Sequence, residues 1–307
     1  MGSIALTKLR ELDLSAAPSA GRHPHVSAAS GLVRVHSFLY VVADDELHLG
    51  VFREGSAAPG HLVRLFDGVL PDAKAARKKH KPDFEALTLL PAYGDYPHGA
   101  LLALGSGSTR HRKRGALIGL DAQGAVHGHP RAVDLSDFLA PLEDAFPALN
   151  IEGAVVSGGA LHLFQRGNKR DARNAIIRCS LPPFLDALAC GRIGPIIPSA
   201  IDHFDLGQID GIPFCFTDAV VLPNGNMVFI AIAEDTDNTY DDGPCAGAAI
   251  GIVGNDGKLR CLNRLDRPYK VEGVDARVDG DVLNLLLVTD GDDAERAACL
   301  FAATMER

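Results

Sequence analysis

The chain has 307 residues, and its 39 Asp and Glu outweigh 30 Lys and Arg to give a net charge of −9. With 47% hydrophobic and 22% charged residues, intrinsic disorder is excluded, and the acidic balance excludes a general affinity for nucleic acid or an anionic membrane. The start, MGSIALTKLRELDL, has no uninterrupted apolar stretch of the secretory kind, and no run of apolar residues is long enough to span a bilayer, so the expected location is the cytoplasm. Six cysteines, none in a CxxC pair, all fall in the second half and read as free buried thiols.

In chain order, the first expected element is a strand in IALTKLRELDL. Short apolar runs then follow one another between Gly, Asp and Asn turns: FLYVVADD at 38–45, ALLALGSG at 100–107, ALHLFQRG at 160–167, NMVFIAIAED at 226–235 and DVLNLLLVTDG at 281–291. Their length and their turn residues predict strands. Helices are expected only over 72–79, 136–145 and 183–190.

Just upstream of each run stands a polar residue, then a small one, then an apolar one. These are Ser30-Gly31-Leu32, Glu85-Ala86-Leu87, Glu152-Gly153-Ala154, Asp218-Ala219-Val220 and Glu272-Gly273-Val274. The spacings are 55, 67, 66 and 54 residues, and 65 more lead from Glu272 round through the termini to Ser30, so that the five account for all 307. Each unit divides into four strands except the last, which has three and takes its fourth from the N-terminus. The expected fold is therefore all-β: one five-bladed β-propeller domain over 1–307, with four-stranded blades and the last blade closed by the N-terminal strand. A pair of β-sandwiches is the alternative. The lack of any tryptophan disfavours a WD-repeat propeller.

In a propeller the first strand of each blade lines the central channel. Ser30, Glu85, Glu152, Asp218 and Glu272 are thus expected to meet at one mouth. Four acids in one ring stay ionised only with compensation, and an all-oxygen set suits a hard cation such as Ca2+. The alternative is that these residues only bond backbone and water. The loops expected on the same face are basic: Ser106–Arg114, with Arg110, Arg112 and Arg114; Arg166–Arg173, with Lys169; and the stretch holding Lys74, Arg77, Lys78, Lys79 and Lys81. Cations beside a metal-bearing centre suit a small anionic, phosphorylated ligand. An opposite sector is acidic, with Asp44, Asp45, Glu234, Asp235, Asp237, Asp290, Asp292 and Asp293.

Five blades, each bringing a Ser or an acid to the channel, resemble the calcium-activated apyrases. The ASGL, FEAL, IEGA and VEGV stretches also resemble inner-strand motifs of bacterial esterase-like phytase and related uncharacterised propellers. The resemblance to the apyrases implies that Ser30, Glu85, Glu152, Asp218 and Glu272 hold a calcium, although Asp218 stands where a smaller ligand is expected. The leading expectation is a calcium-dependent phosphoester or phosphoanhydride hydrolase. Glu152 would act on water, Arg112 would be catalytic, and Arg110, Arg114, Arg166 and Lys169 would bind substrate. The alternative is a non-catalytic propeller with a structural central ion or water cluster and a basic face for an anionic partner. A lactonase or glycosidase comes third.

Overall fold

The computed structural model describes residues 3–238, 243–291 and 293–306; Asp292 of the acidic sector, and part of the loop from Glu234 to Gly243, lie outside them. Five four-stranded antiparallel sheets stand in a ring. Blade one is Ala29–Val35, Phe38–Ala43, His48–Arg53 and His61–Arg64. Blade two is Phe84–Leu90, Ala100–Gly105, Arg114–Gly119 and Arg131–Asp134. Blade three is Ile151–Ser157, Ala160–Gln165, Asn174–Ser180 and Ala200–Phe204. Blade four is Cys215–Val221, Met227–Glu234, Cys245–Val253 and Leu259–Arg264.

Blade five is Val271–Asp279, Val282–Thr289 and Cys299–Glu306, and its outermost strand is Thr7–Glu11 from the N-terminus. The closing strand pairs Thr7 with Ala302 and Glu11 with Cys299. This closure supplies the edge that a three-stranded blade would leave open.

The expected helices form at Lys74–His80, Ser136–Glu143 and Leu181–Ala189. Among the described residues no helix is long and apolar enough to cross a membrane.

The second strands explain the continuous apolar runs. Every residue of Met227–Glu234 is buried, because both faces of that strand are covered by neighbouring blades. The outer Leu259–Arg264 strand is half exposed and mixed in character. The apolar side chains accordingly gather in clusters between adjacent blades, not on the axis. Phe84 and Ile118 pack on Tyr40 between blades one and two, and Leu12, Leu32 and Val288 pack between blades five and one. The end of the axis where the inner strands begin is lined by polar groups, and the sheet ring positions a site there.

Candidate functional site: the channel mouth

Each innermost strand carries one β-bulge near its start, and the bulged residue is Ser30, Glu85, Glu152, Thr217 or Glu272. A bulge leaves its extra residue out of the ladder and re-aims its side chain. The five-fold position is therefore held in blade four by Thr217, one residue before the expected Asp218. The hydrogen bonds agree. Ser30 Oγ donates to the carbonyl of Phe84, and Thr217 Oγ1 donates to the carbonyl of Val271 at 2.9 Å, each reaching the residue before the next blade's bulge. The five bulge positions thus carry three glutamates and two hydroxyls; Ser30 and the glutamates line the mouth, whereas neither Thr217 nor Asp218 does.

A cavity of about 60 Å3 opens there, lined by Ser30, Glu85, Glu152 and Glu272. It takes a hydrated ion or one small functional group; a whole ligand needs several hundred Å3. Two further tiers surround it. Two residues ahead of four of the bulges stand Ala28, Asp83, Asn150 and Lys270, and from the ends of the second strands come Asp44, Arg166, Glu234 and Asp290.

Most of these charges neutralise one another. Arg166 Nη1 lies 3.0 Å from Glu152 Oε2, and its Nη2 binds Glu234. Glu152 Oε1 accepts from Asn150 Nδ2 at 2.6 Å. The Lys81 ammonium bridges Asp44 and Asp83, 2.9 Å from the latter, and Arg112 reaches Asp83 at 2.9 Å. Lys270 sits 3.1 Å from Asp290 and 3.6 Å from Glu234. Asp83 occupies the left-handed region at φ 57, and Ser106 Oγ donates to it at 2.6 Å. A buried aspartate in that conformation is held by its partners against local strain.

Among the described residues, Glu85 and Glu272 make neither a hydrogen bond nor an ion pair with their carboxylates, although Glu272 is only 5% exposed. Burial, then the Glu152 and Asp83 carboxylates, hold Glu85 well above the usual carboxylate range. Burial also holds Glu272 well above it, against the pull of Arg166 and Lys270. Burial raises Glu152 too, with Arg166 opposing, and pushes Asp44 up to about 6 against Lys81. Burial works against the Lys81 ammonium, but Asp44, Asp83 and Glu85 outweigh it and keep the group charged.

Of the expected anion-binding residues, Arg112 and Arg166 line the mouth, where both are tied to carboxylates. Lys169 is exposed at the rim and pairs with Asp235 at 2.7 Å. Arg110 is exposed and does not line the cavity, and Arg114 lies with its guanidinium 4.2 Å from the centre of the Phe66 ring. The sequence reading gave no role to Asn150, Asp83 or Lys270, though a polar residue two places before the motif was there to be seen in three of the five units. Asp44, Asp83 and Glu85 bring carboxylate oxygens within 4.8 Å of one another, a set that could hold a metal ion, but Lys81 already binds the first two.

Fold and site together define a five-bladed β-propeller whose channel mouth is a buried, densely charged cavity. Residues 25–305 match a family of unknown function, DUF6929, and the chain belongs to that family. No curated protein matches it. Among solved structures it is similar to a putative glycoside hydrolase from Parabacteroides distasonis ATCC 8503, with 12% identity over 97% of this chain and 95% of that one and a TM-score of 0.49. A luciferin-regenerating enzyme gives 11% identity over 98% of this chain and 95% of that one, with a TM-score of 0.48. A streptogramin B lyase gives 11% over 97% of each, with a TM-score of 0.37. Likenesses this distant say nothing of activity.

Proposed function

We propose that the mouth is a cation-dependent hydrolytic centre for a small phosphorylated substrate, with Glu85 and Glu272 as the principal ligands and Ser30 and Glu152 beside them. The observation that carries this reading is the pair of unpartnered glutamate carboxyls in a cavity where every lining cation has a carboxylate or other partner. The groups left over are acids and none is a cation, so an anionic substrate is held only with a cation between it and the glutamates. Oxygen ligands in an irregular set suit calcium. Bound there, calcium would polarise a phosphoryl oxygen and offset developing charge. Glu152, fixed from both sides by Asn150 and Arg166, orients water as acceptor. Arg112 and Arg166 supply positive field at the wall while remaining paired.

A second reading has its own observation. Lys81, Arg112, Arg166 and Lys270 neutralise so many carboxylates that a non-catalytic propeller with a structural mouth also accounts for them. One experiment separates the two. Nucleoside diphosphates, inositol phosphates, aryl phosphates, lactones and aryl glycosides are offered with calcium or with chelator. The hydrolase reading expects phosphate release that needs calcium and falls at least tenfold in kcat/KM in Glu272→Gln. No calcium-dependent release from any phosphate ester, with melting curves superimposable in calcium and chelator, refutes it; turnover confined to lactones or glycosides moves the chemistry to another class.

A further inference from the structure

Below the mouth the inner strands of neighbouring blades approach one another closely. The residue after each bulge is Gly31, Ala86, Gly153 or Gly273, and in blade four it is Asp218. The small residues face amides of the following blade. A Cβ on Gly273 would lie 2.9 Å from the nitrogen of Leu32, on Gly31 3.2 Å from that of Leu87, and on Gly153 3.2 Å from that of Ala219. Asp218 faces its own counterpart, and its Oδ2 accepts the N–H of Val274 in blade five at 2.9 Å. Burial holds the Asp218 carboxyl well above the usual carboxylate range, and the N–H groups of Val274, of Ala219 and of Leu32 in blade one pull against that shift. Asp218 is 1% exposed, and its Oδ1 is buried without a hydrogen-bond partner.

We propose that inner-strand amides of three blades form an anion site on the propeller axis, suited to a small carboxylate, and that the chain fills it from within using Asp218. Converging N–H groups of fixed backbone are a standard means of holding an anion without a cationic side chain. The tether explains the orphan oxygen: a carboxyl anchored in blade four closes one good hydrogen bond and leaves its second oxygen short of the others. The same side chain is large where its four counterparts are small, so it separates the mouth from the funnel on the opposite face. That funnel measures about 520 Å3 and is lined by Leu32, Leu87, Ala154 and Ala219, which gives a solute a path to the amides from below. Whatever reacts at the mouth must then enter and leave by the mouth. The inference stands whether or not the mouth is catalytic.

Chemical rescue tests it. Asp218→Gly removes the atoms that acetate carries, and Asp218→Ala removes those of formate. Melting is followed for wild type and both variants in acetate, formate or sulfate at equal ionic strength. Each variant is expected to melt roughly 4 °C or more below wild type, the loss of a buried hydrogen bond and its packing. The matched anion is expected to recover at least half of that loss saturably, with no comparable gain for wild type or in sulfate. Where a variant does not stay folded in plain buffer, its refolding yield with and without the matched anion is the readout, and a gain supports the site. An unchanged melting temperature in both variants, an anion effect equal in wild type, or no gain in refolding yield overturns the proposal.

Discussion

Replacing Arg166 by methionine strikes the electrostatic centre of the mouth. Its guanidinium serves Glu152 at 3.0 Å and also Glu234, and all three residues are at most 8% exposed. Methionine keeps most of the volume and removes the cation, so two buried carboxylates lose their guanidinium, with Asn150 left to Glu152 and the more distant Lys270 to Glu234. Breaking a buried pair in this way costs about 3–5 kcal/mol. In a domain of this size that lowers the melting temperature by roughly 5–8 °C. Lys169→Met, three residues along the same loop, removes an exposed pair with Asp235 and is expected to leave the melting temperature almost unchanged. The pH dependence carries the sharper test. Burial already raises Glu152 in the folded state, and losing Arg166 raises it further. Between the ordinary carboxylate pKa and this raised one, the folded protein holds a proton that the unfolded chain has released. Stability therefore falls as pH rises through that window, and the deficit of the variant is larger at alkaline than at mildly acidic pH. Scanning calorimetry across that range measures it. A deficit below about 2 °C, or one that does not change with pH, refutes the view that Arg166 compensates buried ionised carboxylates.

Two further expectations follow from the same geometry. Deleting residues 1–14 removes the Thr7–Glu11 strand together with the buried Leu12 and Leu14, and should abolish cooperative unfolding or cause aggregation; a truncated chain that melts like the full one would show that closure contributes nothing. Glu85 and Glu272 are held above the usual carboxylate range, so a cation must displace protons from them, and calcium should raise the melting temperature progressively more as pH increases; a calcium shift that is flat with pH, or that survives Glu85→Gln together with Glu272→Gln, would place the ion elsewhere.

The repeat was legible because blades are locally similar. A strand buried on both faces needs an unbroken apolar run, and an inner strand packed against its neighbour needs a small residue after its bulge, so NMVFIAIA and the Gly31, Ala86, Gly153 and Gly273 positions mark the architecture in one dimension. Their spacing, closing on itself through the termini, was enough to give five blades and the role of the N-terminal strand. The choice between Thr217 and Asp218 was not legible. Both are polar, and the sequence does not say where a ladder slips by one residue; only the bulge between Phe216 and Asp218 does. With Thr217 the spacings on either side become 65 and 55, closer to those elsewhere. Nor was it legible which charges cancel. Arg166 meets Glu234 and Lys81 meets Asp44 across 68 and 37 residues, because the ring brings separate blades to one axis. A basic loop read along the chain is a row of free cations. Folded, its inward members are committed to carboxylates of their own and neighbouring blades, since a buried charge is tolerated only with a partner, and the tertiary structure decides which partner that is.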